Sequence, residues 1–175
     1  HCGMRKTKLT LILLFALLFF SGCSVFDRPH KDSDGYYTGH YNCCGPIALE
    51  VAINKYYHNL GIKFKRNPAP RKEISRSMQD DGFLCRGILS LLDKKAVCIT
   101  WPSEIKKICR EYGFEPISLK DFAKLDPKKD VAVVLVHRKF ELDSYHWIVF
   151  PVQKMKFYGS KTVIDKIYLL KRIVK

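Results

Sequence analysis

The sequence contains no Cys-x-x-Cys pair and no two histidines four residues apart, so the usual spacings of a zinc site are missing and no metal or cofactor is expected. It has no internal repeat and no low-complexity segment, which points to one compact domain with appendages. Acidic residues are few. Seventeen Asp and Glu stand against 31 Lys and Arg in 175 residues, a formal charge of +14. No apolar run is long enough to span a bilayer. The longest, "LTLILLFALLFF" from Leu9 to Phe20, covers roughly 18 Å as a helix, against a hydrocarbon core of ~30 Å. With 47% hydrophobic and 27% charged residues the chain is not expected to be disordered.

A short apolar run after Arg5, Lys6 and Lys8 has the pattern of a secretory signal. Met4 is the natural initiator on this reading, and His1 to Gly3 lie upstream of it. The run ends in "FSGCS", where Ser21, Gly22 and Cys23 resemble the bacterial lipobox, with Phe20 in place of the usual Leu. The resemblance implies cleavage before Cys23, diacylglycerol (palmitate-type) modification of its thiol, and stable anchoring by two or three acyl chains. An ordinary signal peptide that leaves Cys23 as a free thiol is the alternative, and both export the chain. The expected organisation is a signal at 1–22, a lipidated Cys23 with a polar tether at 23–35, and one domain at 36–175. Ser24 supplies no Asp-type inner-membrane retention signal, so an outer membrane is expected where the organism has one.

Residues 1–22 hold three basic residues and no acid. Without them 28 Lys and Arg face 17 Asp and Glu, a net charge of about +11 that fits an anionic lipid or polymer surface. No nucleic-acid recognition motif is present and an exported compartment argues against that partner. The basic residues read as scattered, apart from a C-terminal cluster around Lys161, Lys166, Lys171, Arg172 and Lys175.

Hydrophobic spacing after Pro46 predicts a helix ending at Gly61, with Cys44 at its start or one residue before it. Further helices are expected at 84–92, from Glu104 to Tyr112 capped by Ser103, and after the capping box Ser118 to Asp121, with Leu119, Phe122 and Leu125 inward. The last third changes period: 130–136, 146–152 and 162–170 read as strands whose short connections, "ELDS" and "FYGS", favour antiparallel pairing. Helices first and an antiparallel sheet second make the fold class α+β.

Five cysteines remain in the domain, so an oxidising compartment leaves at least one unpaired. Cys43 reads as core or disulfide, Cys85 and Cys109 as apolar helix faces, and Cys98 as strand core. Trp101 and Trp147 read as packing aromatics. Cys44 differs from these. A helix N-terminus favours a thiolate and offers N–H groups to an oxyanion. A cysteine nucleophile needs a base, and His146, opening the run "HWIVF", has a stiff mount and an exposed tip.

"NCCGPIAL" together with "SYHWIVF" resembles the papain-like double-glycine leader peptidases and their stand-alone relatives (peptidase C39-like). The resemblance implies a papain-like fold with Cys44 as nucleophile and His146 as general base. Gly45, Pro46, Ala48 and Leu49 match the helix-start framework. Two positions depart from the pattern. Thr38 stands where the family has an oxyanion Gln, leaving Asn42 or His40 (or Tyr41) as candidate donors. The acidic orienter falls on Asp165 in "TVIDK", without the usual Pro.

The expected function is therefore a lipid-anchored cell-envelope cysteine peptidase, a monomer acting on a peptide or protein substrate. A catalytically idle papain-like binding module is the second reading, and an NlpC-type cell-wall hydrolase the third. A leader peptide is not the expected substrate, because no transporter segment accompanies the domain and the anchor places it on the exported face.

Overall fold

The computed structural model describes residues 31–80, 98–139, 145–152 and 162–173. The signal expected at 1–22, Cys23, the helix expected at 84–92, Cys85 and the connections "ELDS" and "FYGS" lie outside these residues. After a short 3-10 turn, Thr38–Asn42, comes helix α1, Cys44–Asn59. Residues 71–80 are helical (α2), and α3 spans Pro102–Glu111. Four strands follow: β1 Phe114–Leu119, β2 Ala132–Arg138, β3 His146–Phe150 and β4 Thr162–Arg172. All strand pairs are antiparallel, in the order β1-β4-β2-β3. The fold class is α+β. No helix among the described residues is long and apolar enough to cross a membrane.

Strand alternation sorts the core into two layers. Val131, Val133, Trp147, Val149, Tyr168 and Leu170 meet the helices, packing on Leu49 and Ile53 of α1, Ile74 and Met78 of α2, and Ile105 and Ile108 of α3. Ala132, Val134, Val136, Ile148, Ile167 and Leu169 form the other face, which Leu125 and Phe122 cover. The capping box at Ser118 therefore starts no helix. Ser118 and Leu119 are the last residues of β1, paired with Tyr168 and Ile167, and the ladder outweighs the local signal. Phe122 and Leu125 still turn inward, from a loop. Helix α3 also begins earlier than expected, at Pro102. The Glu104 carboxylate accepts the Trp101 N–H at 2.6 Å, so Ser103 is not the cap.

The expectation that strands close in sequence are neighbours holds for β2 and β3 only. β4 pairs with β2 on the far side from β3, which leaves β3 at the edge of the sheet. β4 also carries a bulge. Leu135 faces Lys166 and Val136 faces Ile164, so Asp165 is the extra residue between them.

The segment 31–42 is pinned to α2. Arg76 binds Asp32 at 2.8 Å and also Asp34, and the Tyr41 hydroxyl donates to Asp32. Asp32 thus belongs structurally to the domain, although the sequence places it in a tether.

Candidate active site

Pro46 favours a first helical turn, and Cys44 is the first residue of α1, with Cys43 as its N-cap in extended backbone. The backbone N–H groups of Trp147, Gly45 and Cys44 itself lie near the Cys44 thiol and favour its anion. The Trp147 donor lies on the edge strand, one residue after His146, so the mouth of α1 abuts the start of β3. The chain thereby brings together the two positions chosen for nucleophile and base.

Burial sets the charge state of both groups. It raises the Cys44 thiol above its ordinary range, and the three N–H groups offset this only in part. It lowers the His146 imidazole. The helix terminus was expected to favour a thiolate, but here desolvation wins, and near neutral pH Cys44 rests as a thiol and His146 as a neutral imidazole. By strand alternation His146 shares the row of Ile148 and Phe150, while Trp147 faces α1. His146 is the first residue of its strand, so its half-buried ring stands at the end of the sheet, on the face opposite Trp147.

Asp165 does not serve His146. β2 lies between their strands, and the bulge presents the Asp165 carboxylate to His137, whose Nδ1 lies 2.5 Å from Oδ2. Tyr145 packs on the His137 ring, with centroids 4.8 Å apart. No motif in the sequence points to this pair. A bulge is set by tertiary register, and no residue in "TVIDK" announces one.

The oxyanion candidates separate by burial. His40 is fully buried, and its Nδ1 lies 2.6 Å from the Ser75 hydroxyl, tying the 3-10 turn to α2. It belongs to the interior and is set aside as a donor to substrate. Asn42 is exposed and ends the 3-10 turn two residues before Cys44.

Two contacts that the sequence did not reveal brace the helix mouth. Cys43 forms a disulfide with Cys98, which is exposed rather than strand core. Two residues further along each segment, a Cβ on Gly45 would stand 2.6 Å from Thr100 Cβ, and closer still to its hydroxyl and methyl. Residues 98–100 therefore lie along 43–45, and only glycine fits at position 45. The Thr100 carbonyl accepts Trp147 Nε1–H at 3.0 Å, while its own buried hydroxyl has no partner among the described residues. Trp147 is buried as expected, whereas Trp101 is half exposed. Cys44 and Cys109 are the free cysteines of the described residues. Burial pushes the Cys109 thiol up to about 12, which makes it inert.

No group of three or more His, Cys, Asp or Glu among the described residues is arranged to hold a metal ion. No family model, curated protein or solved structure matches the chain.

Proposed function

We propose that the chain is a lipid-anchored cysteine peptidase of the cell envelope, with a papain-like arrangement of helix and sheet. Cys44 is the nucleophile and His146 the general base. His146 takes the thiol proton, the sulfur attacks a peptide carbonyl, and the N–H groups of the first turn of α1, with Asn42, hold the oxyanion. The imidazolium returns the proton to the leaving amine, and water then hydrolyses the thioester. The observation that carries this reading is the nearness of the Cys44 thiol at the start of α1 to the backbone N–H of Trp147, next in sequence to His146.

A second reading, a papain-like module that binds without turnover, draws on three observations. Burial raises the Cys44 thiol, Asp165 is engaged by His137, and Thr38 replaces the family's oxyanion Gln.

Incubating the chain with a mixture of peptides and following new amino termini by mass spectrometry separates the two. The peptidase reading expects new termini, an acyl adduct on Cys44 after acid quench, and loss of both in Cys44→Ser and His146→Ala. No turnover by the unaltered chain, or turnover that survives Cys44→Ser, overturns it. An intact mass without acyl chains on Cys23 in membrane-extracted protein overturns the lipid anchor alone.

A further inference from the structure

We propose that the loop after α1 is a docking surface for an anionic lipid bilayer. Leu60, Ile62 and Phe64 are 53%, 37% and 48% exposed, unusual for three large apolar side chains so close in sequence. Lys63, Lys65 and Arg66 are interleaved with them, all exposed. None of these three cations forms an ion pair with an acid among the described residues.

The surroundings keep the charge one-signed. From Val51 to Lys72 the sequence has no Asp or Glu and six Lys or Arg. Glu50, the acid that reaches this region, is held by Arg71 at 2.8 Å. Beside the loop is a cleft whose lining includes His58, Lys65 and Arg66, donors suited to a phosphate headgroup, while the amides of Asn54 and Asn67 in the same lining donate within the protein. Phe64 packs edge-on against Tyr57, and Arg172 lies over the same Tyr57 ring, so the end of β4 extends the patch. Exposed Ile173 adds to it.

The chemistry selects the partner. Cations alone would fit any polyanion, but a nucleic-acid backbone gives exposed Leu, Ile and Phe nothing to enter. A bilayer interface accepts both, with apolar tips below the headgroups and Lys and Arg among the phosphates. The position of the patch has a consequence for the site. It lies at the C-terminal end of α1, and Cys44 at the other end of a 16-residue helix, roughly 24 Å away at ~1.5 Å per residue. A domain seated on this loop holds Cys44 off the membrane, facing outward. The proposal rests on the patch alone and stands whether or not Cys44 is catalytic or Cys23 lipidated.

The test uses the full chain carrying Cys23→Ser, sedimented with phosphatidylcholine vesicles and with vesicles that also contain phosphatidylglycerol. The apolar run at Leu9–Phe20 partitions into both, so the readout is the ratio of the two partition coefficients. The expected result is a ratio well above one that falls with added salt. Combining Lys63→Glu, Lys65→Glu and Arg66→Glu brings it down by roughly fivefold per removed charge. Combining Leu60→Ser, Ile62→Ser and Phe64→Ser weakens anionic-vesicle binding without removing its salt dependence. Tryptophan fluorescence gained in Phe64→Trp is quenched by brominated lipid in the anionic vesicles only. Circular dichroism matching the parent shows that each variant is folded. A ratio unchanged by the charge reversals, or an unquenched Trp at position 64, overturns the proposal. So does salt-sensitive binding of duplex DNA that loses strength with the charge reversals and not with the serine substitutions.

Discussion

His137 and Asp165 are joined across adjacent strands, Nδ1 to Oδ2 at 2.5 Å, and the bulge in β4 is what turns the carboxylate toward that ring. A residue chosen in sequence to orient one histidine is held by another, with a whole strand between the two sites.

Asp165→Asn is accordingly expected to leave peptide turnover and Cys44 alkylation within about twofold of the parent, as for substitutions at distant, independent sites. His146→Ala, by contrast, is expected to abolish turnover. The Asn variant instead lowers the urea midpoint, because a charge-assisted hydrogen bond worth roughly 1–3 kcal/mol is weakened. Loss of turnover in Asp165→Asn, with an unchanged midpoint, would contradict the assignment.

Gly45→Ala drives a methyl into Thr100. Overpacking of this kind costs about 1–3 kcal/mol, read as a shift in urea unfolding. Thr100→Ala recovers only part of the loss, since the Thr100 Cβ itself stands 2.6 Å from the new atom. Thr100→Gly recovers more. Trp147 fluorescence follows the displacement, because its indole N–H is bonded to the Thr100 carbonyl.

The pH profile of Cys44 alkylation by iodoacetamide should show a single alkaline rise, displaced above that of an ordinary thiol, because burial raises the native group. An acid-side plateau would mark a thiolate–imidazolium pair and contradict the neutral resting state. Stability follows by linkage. The native thiol keeps its proton longer than the unfolded one, so its contribution is full below the ordinary thiol pKa and is lost as pH rises through the native value. His146 works in the opposite sense. Its native pKa lies below the ordinary 6.5, so its contribution is present above that and is lost as pH falls through the native value.

Asp32 governs the acid limb further down. The Arg76 guanidinium, and then the Tyr41 hydroxyl, hold its carboxyl well below the usual 3.8. A depressed native pKa gives stability that is present above the unfolded value and lost as pH falls through the native one. Asp32→Asn removes that contribution, so its unfolding midpoint on an acid titration by circular dichroism should lie at higher pH than the parent's.

What could be read from the chain was what local chemistry dictates. Pro46 and the spacing that follows it set the start of α1 at Cys44, and the β-rich runs at 130–136, 146–152 and 162–170 lie within two residues of the observed strand starts. What escaped depended on partners remote in sequence. Ser118 and Leu119 carry a helix signal, but β4 supplies a ladder that overrides it. Asp165 faces His137 because of a bulge and a strand order that no short window contains. Cys98 finds Cys43 across 55 residues, and among five cysteines the sequence left that pairing open. The role of Gly45 was legible only as a helix-start residue, since the Thr100 side chain that demands a glycine arrives from another segment. The exposed loop after α1 was missed for a simpler reason. Its three cations look scattered in a list, and become a patch only when Leu60, Ile62 and Phe64 prove exposed among them.

Cys43 and Cys44 are consecutive, one oxidised and one free, and they place opposite demands on the redox environment. A reductant strong enough to rescue an oxidised Cys44 also threatens the bond that holds residues 98–100 along the helix mouth. Loss of that bond forfeits about 4 kcal/mol of loop-closure stabilisation on a chain-entropy account. Assays in excess dithiol would then report on a protein whose Cys44 thiol is intact and whose scaffold is undone. An oxidising surrounding that keeps the bond closed is the one in which Cys44 must escape oxidation, and a thiol that desolvation keeps protonated is slower to oxidise.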